Sequence, residues 1–148
     1  MSVDETKKMM EANKAAARTF LRLLEEKRID AWIELWAENA DHFYPFGGRM
    51  FPEHIVGRTA IYERWKNLPG VFRRLSFPVR GIWAEGDTVI VRFDGDCLKP
   101  TGGRYRNTYV SIFTFDDDGK IRLYSEYFDP ILAGLDFGLL EVGYLGTA

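Results

Sequence analysis

The chain has 148 residues, a formal net charge of -2, 46% hydrophobic and 15% aromatic residues. That length fits a single domain over residues 1–148 with a real core, and the near-neutral charge gives nucleic acid little electrostatic reason to bind. The only cysteine, Cys97, excludes an internal disulfide and a cysteine-based zinc cage, and no apolar run approaches the ~20 residues of a membrane span.

The first ten residues are polar and carry Asp4, Glu5, Lys7 and Lys8. They do not read as a signal peptide, which leads us to expect a soluble, cytoplasmic protein without a membrane partner. Ser2-Val3-Asp4-Glu5 has the form of a capping box. Behind it Met9/Met10, Ala16/Ala17, Phe20/Leu21 and Leu24 recur at helical spacing, predicting a long amphipathic helix that ends near Lys27-Arg28. Asp30 is placed to cap a short second helix carrying Trp32, Ile33, Leu35 and Trp36. Ala40–Phe46 reads as a brief strand closed by Pro45 and Gly47-Gly48, followed by a loop to Glu53. Gly57 or Thr59 opens a third helix with Ile61, Tyr62 and Trp65, and Leu68-Pro69-Gly70 stops it.

From Leu75 the pattern changes to period two. Strands are expected over Leu75–Ala84, Thr88–Leu98, Arg104–Phe115 and Ile121–Phe128. Glu85-Gly86-Asp87, Lys99 to Gly103 and Asp116-Asp117-Asp118-Gly119 supply the turns. Long strands joined by short turns form an antiparallel meander. Residues 131–148 are Gly- and Leu-rich without clear periodicity. The predicted class is therefore α+β: three N-terminal helices on a strongly curved antiparallel sheet, a cone whose mouth is a natural ligand site.

Candidate site residues cluster between Val91 and Pro130. Glu126 lies on an aromatic-rich strand. In an apolar pocket its pKa would rise, making it a usable acid or base near neutrality; paired with an arginine or exposed, it would be structural. Asn107 and Tyr109 share strand parity with Tyr105, Ser111 and Phe113, and either orient a ligand or hydrogen-bond within the core. Asp129, before Pro130, is either an acid/base helper or a strand-ending cap. Asp94 and Asp96 alternate with the apolar Val91, Phe93 and Cys97, so they are assigned to the outward face. His42 and Tyr44 share parity on the first strand. The histidine could shuttle a proton, and the tyrosine could donate to a carbonyl oxygen. Trp83 is taken as core or pocket wall. No His-x-His or His-x-x-x-His spacing, Gly-x-Gly-x-x-Gly, Walker loop or Gly-x-Ser-x-Gly elbow occurs, so neither a metal nor another cofactor is expected.

The element order, Ile55-Val56-Gly57-Arg58-Thr59-Ala60-Ile61 and the closing Gly119-Lys120-Ile121 through Glu126-Tyr127-Phe128-Asp129-Pro130 resemble the nuclear transport factor 2-like superfamily, also called SnoaL-like or cystatin-like α+β cones. Within it, Asp94-Gly95, Tyr105-x-Asn107 and Glu126-x-x-Asp129-Pro130 look most like the phenazine-biosynthesis PhzA/PhzB group. That resemblance implies a homodimer with one small-molecule pocket per subunit and acid/base assistance of carbonyl chemistry, with Glu126 matching a pocket glutamate. The group's histidine near the third helix has no counterpart in residues 60–65. Similarity to ketosteroid isomerase is weaker, because Tyr44 stands before Pro45 where that enzyme's aspartate base would be. Two functions follow as expectations. One is an isomerase, cyclase or condensing enzyme acting on a small carbonyl compound. The other is a non-catalytic ligand-binding or dimerisation module of the same fold.

Overall fold

The computed structural model describes residues 1–141 and 143. Helix α1, Val3–Glu25, starts where the Ser2 side chain accepts the Glu5 amide at 3.1 Å. It stops at Lys27, which takes a positive φ of 61°. The buried Asn13, Ala17, Phe20, Leu21, Leu23 and Leu24 form its inward stripe.

Helix α2 spans only Ile29–Ile33, and Arg28 precedes it without a side-chain cap. Asp30 does not cap it; its carboxylate instead accepts the Tyr62 hydroxyl at 3.0 Å. Strand β1, Trp36–Phe43, begins four residues before the expected Ala40 and takes Trp36 out of the helix. The burial of Trp36 against Phe20, Trp32 and Tyr124 rings overrides its place in the helical pattern. A short β2, His54–Val56, follows the loop and was not expected. Gly57, at φ 90°, opens helix α3, Arg58–Trp65. Leu68-Pro69-Gly70 does not stop that helix; it begins a separate turn, α4, Leu68–Val71, with Pro69 in the first turn where its missing N–H costs nothing.

The remaining strands are β3 (Val79–Glu85), β4 (Thr88–Leu98), β5 (Arg104–Phe115) and β6 (Ile121–Phe128). The expected start of β3 at Leu75 is four residues early, since 75–78 run as extended backbone without a ladder beyond isolated bonds such as Asp96 N to Ser76 O at 2.9 Å. The sheet order is β2-β1-β6-β5-β4-β3. The meander from β3 to β6 is antiparallel as expected. The sheet as a whole is mixed, because β1 runs parallel to β6. The chain returns from β1 through β2, α3, α4 and the meander, and the closing strand arrives alongside the first in the same direction.

After β6 comes a helix with no periodic signal in the sequence, α5, Pro130–Asp136. Of the predicted aperiodic tail, residues 142 and 144–148 lie outside the described residues. Among the described residues no helix is long and apolar enough to cross a membrane. The fold is thus an α+β cone: α1 lies on the concave face of the sheet, and α3, α4 and α5 stand around its open end.

Candidate active site

Strand pairing decides which residues share the concave face. Ser111 is opposite Glu126 and Tyr109 opposite Phe128 on β5 and β6. Directly opposed residues in an antiparallel pair point the same way, so Tyr105, Asn107, Tyr109, Ser111, Tyr124 and Glu126 all face inward. Asp94 and Asp96 lie opposite Thr108 and Arg106 on the other face.

The concave face encloses a cavity of about 310 Å³. Its wall is mainly apolar, with Phe20, Leu24, Phe51, Trp65, Phe72, Phe93, Phe128, Ala133 and Phe137 among the lining residues. The polar lining consists of Glu126, the hydroxyls of Tyr44, Tyr105, Tyr109 and Tyr124, Cys97, Asn67 and Arg64.

Glu126 is buried, and the Tyr124 hydroxyl donates to its Oε1 at 3.0 Å. Tyr124 has a single proton to give, so when Glu126 is ionised the Ser111 hydroxyl must be the donor in the 2.8 Å bond between Ser111 and Tyr124. Among the described residues Glu126 has no salt-bridge partner. Burial pushes its pKa up to about 7, opposed in part by the Tyr124 hydrogen bond and the more distant positive charge of Arg64. It is therefore a carboxyl group that can hold or release a proton near neutral pH.

On the neighbouring strand of the same face, Asn107 donates through Nδ2 to the Tyr105 oxygen at 2.8 Å, and the Tyr105 and Tyr109 oxygens are 2.7 Å apart. Either hydroxyl can donate to the other, and whichever accepts keeps its own proton free for a ligand. The Tyr109 ring is fixed by stacking on Phe93 at 5.0 Å and by lying over Gly95, where an added Cβ would come within 2.8 Å of it. That contact is the physical use of the Asp94-Gly95 pair. Burial raises the pKa of Tyr44, Tyr109 and Tyr124, and raises that of Tyr105 to about 12, so these hydroxyls stay protonated donors.

A family model for the SnoaL-like domain matches residues 17–124. The chain belongs to the SnoaL-like family. An uncharacterised protein of Bacillus subtilis strain 168, YesE, is 35% identical over 125 residues, 82% of this chain and 84% of that protein. A crystal structure of a Bacillus subtilis protein provisionally named an isomerase superposes with a TM-score of 0.80 at 32% identity, covering 89% of this chain and 96% of that one. At 22% and 20% identity, two further structures show the same fold. One is SalBIII, an epoxide hydrolase/cyclase-like enzyme of pyran ring formation in salinomycin, with a TM-score of 0.69 and coverages of 80% and 92%. The other is an M. tuberculosis LEH-like epoxide hydrolase, with a TM-score of 0.72 and coverages of 88% and 93%.

In this SnoaL-like domain, three of the residues singled out from sequence line the cavity: Glu126, Tyr44 and Tyr109. Four do not. Asn107 is buried, but its amide is committed to the fold: Nδ2 donates to the Asp129 carbonyl at 3.0 Å as well as to Tyr105, and Oδ1 accepts the Asp129 amide at 3.1 Å. Asp129 is exposed, and its carboxylate caps α5 by accepting the Ile131 and Leu132 amides at 3.0 and 3.2 Å. His42 is fully buried behind the cavity wall among the Trp36, Tyr44, Trp65 and Tyr124 rings. Its Nδ1 accepts from the Trp65 indole at 3.4 Å, and burial, helped by Arg64, lowers its pKa to about 3. With Nδ1 accepting, the neutral ring carries its proton on Nε2, which is buried without a partner among the described residues, and the ring does not line the cavity where the expected proton shuttle would work. Trp83 is 56% exposed and its ring covers Gly81, away from the cavity. The other histidine, His54, sits in β2 and pairs with Asp41 at 2.7 Å.

Tyr124 and Arg64 are the site residues that sequence reasoning missed, whereas Tyr105 was legible from its parity with Asn107 and Tyr109. Tyr124 had a signal, since it lies two residues from Glu126 on the same strand. Arg64 had none, since it is one of several charged residues on a short, polar helix.

Proposed function

We propose that this domain is an acid/base enzyme that moves a proton on a small, partly apolar carbonyl compound, in the manner of an isomerase or cyclase. One observation carries the reading. Glu126 is a buried carboxyl in an aromatic cavity, bonded to a neutral hydroxyl and not to a cation, with its pKa brought to about 7. Structural glutamates are normally paired or solvated, because an isolated buried charge is costly.

In the proposed reaction the Glu126 carboxylate takes the proton from a carbon next to the carbonyl, and the C–H electron pair moves into an enolate. Tyr44 or the Tyr105–Tyr109 pair donates to the enolate oxygen, where negative charge develops. The protonated Glu126 then returns the proton. Delivery to another carbon of a conjugated enolate gives an isomer; delivery to a leaving hydroxyl gives dehydration with loss of water; attack of the enolate carbon on a second carbonyl carbon of the same molecule closes a ring, the C=O π pair becoming an alkoxide that takes the proton from Glu126. The isomerase name of the Bacillus subtilis structure supports this class at 32% identity. Within the family, nearness to the PhzA/PhzB group rests on the closing-strand motif.

The second reading, a ligand-binding module without chemistry, is favoured by the structural commitments of Asn107, Asp129 and His42. Both readings meet in one experiment. A panel of enolisable ketones in D₂O is followed by proton NMR for loss of the α-hydrogen signal, with wild-type protein and E126Q. Exchange that slows by about 10²–10⁴-fold in the variant fits a general base. Equal exchange in both proteins would remove Glu126 from the mechanism and leave the binding module.

A further inference from the structure

Arg64 lies in the last turn of α3 and Asn67 in the short turn between α3 and α4, and both line the cavity. Arg64 is the one cation among the lining residues. Its guanidinium carbon lies 5.9 Å from the centroid of the Tyr44 ring, a cation–π contact on the cavity wall. Among the described residues it makes no ion pair, whereas Arg58 reaches Glu34 and Glu38, and Arg80 reaches Asp94. Asn67 precedes α4 in the N-cap position without using its side chain as a cap. Beyond the reach of Arg64 to the Tyr44 hydroxyl, these two exposed residues offer side-chain donors, one of them charged, on the solvent side of a mainly apolar cavity.

The polarity of the cavity fixes how a ligand with a charged end would lie. A carboxylate among Phe20, Phe93 and Phe128 would lose its hydration for nothing. It would also sit beside Glu126, a second acidic group. At the opening the same carboxylate keeps partial hydration and meets a guanidinium fork, whose geometry suits two oxygens. We propose that Arg64 and Asn67 anchor the carboxylate of an aromatic or alicyclic organic acid, its apolar body filling the cavity toward Glu126. This rests on the proposed function for the reacting end of the molecule and deepens it: the substrate class becomes a carbonyl compound that also carries a carboxylate. Anchoring also has a consequence at Glu126. Neutralising Arg64 removes a positive charge that favours the ionised carboxyl, so an anchored acid tilts Glu126 toward its protonated form.

The test uses two probes of the same shape, 2-naphthoate and its neutral amide, 2-naphthamide. Binding to the full chain is measured by isothermal calorimetry at neutral pH for wild type, R64Q and N67A. The expected result is that wild type prefers naphthoate by about tenfold, on the scale of one charge-assisted contact. R64Q should abolish that preference while binding naphthamide unchanged, which also shows the cavity intact. N67A should reduce it by a smaller factor. Equal binding of both probes by wild type, a preference that survives in R64Q, or binding of neither probe overturns the anchor. Neither probe has an enolisable carbon, so the outcome is independent of catalysis. A failed anchor leaves the exchange experiment on E126Q standing, and a failed exchange experiment leaves the anchor standing.

Discussion

On the inner face of the sheet Glu126 is buried and bonded to a tyrosine hydroxyl, while on the outer face Asp94 meets Arg80 at 2.7 Å and Asp96 lies within 4.0 Å of both Arg104 and Arg106. The strands are continuous and the residue chemistry is nearly the same. Only the parity of the position differs. Outside, a carboxylate finds guanidinium groups and water, and its ionised state costs little. Inside, it finds aromatic rings and hydroxyls, and ionisation is opposed. The fold thus produces a reactive carboxyl and inert ones from the same side-chain type by alternation alone. The inner face also has a second way of using polar groups, since Asn107 and Ser111 are buried but spend their hydrogen bonds on neighbours.

The largest expected effect tests whether Glu126 is opposed in this way. Its carboxyl moves from a reference pKa of 4.5 to about 7 in the folded protein. Between these values the folded state holds a proton that the unfolded state has released. Stability therefore falls as pH rises through this window, and the penalty is complete above pH 7. A shift of this size corresponds to something on the order of 3 kcal/mol. E126Q keeps an acceptor for Tyr124 but has no charge to suppress. The difference in unfolding free energy between E126Q and wild type, from urea titrations across pH, should be small near pH 4. It should grow in favour of the variant to about 3 kcal/mol by pH 8. A flat difference would place Glu126 with the outer-face carboxylates.

A smaller effect is expected at the end of β6, where Asp129 separates structural from chemical use of an acid. Its carboxylate caps the helix whose Ala133 and following Phe137 line the cavity. D129A should cost about 1 kcal/mol of stability through the lost cap. D129N keeps an accepting oxygen and should retain both stability and turnover. If D129N loses turnover while remaining as stable as wild type, the charge itself is needed and the cap does not account for the residue.

These contrasts mark how far the sequence could be read. Period-two spacing placed β4, β5 and β6 within their observed bounds, and the outward assignment of Asp94 and Asp96 follows from the same alternation. Alternation also put Tyr105, Asn107 and Tyr109 on one face. It could not put Glu126 with them, because that depends on the register between β5 and β6. Nor could it distinguish Tyr109, whose hydroxyl reaches the cavity, from Asn107, whose amide is taken up by Tyr105 and the Asp129 backbone. The parallel pairing of β1 with β6 joins segments some eighty residues apart and has no local signal. Trp36 and Trp83 were ambiguous for a related reason. A tryptophan fits a core and an outer surface equally well, and only the neighbouring Gly81 shows where the Trp83 ring can lie.

The smallest effect is expected on the outer face, and it tests the other half of the comparison. The Arg80–Asp94 contact is short, but the two side chains are 55% and 32% exposed, so solvent screens the pair and both ions retain hydration when separated. D94N removes the charge and keeps the shape. Its cost should lie within about 1 kcal/mol and shrink further in high salt. Naphthoate binding should not change, since the sheet lies between this pair and the cavity. Urea titrations in low and high salt measure the first expectation, and calorimetry the second. A salt-insensitive loss well above 1 kcal/mol would mean that the outer face is desolvated in solution, as it would be if another protein surface covered it. The contrast between the faces would then be one of partners and no longer one of exposure.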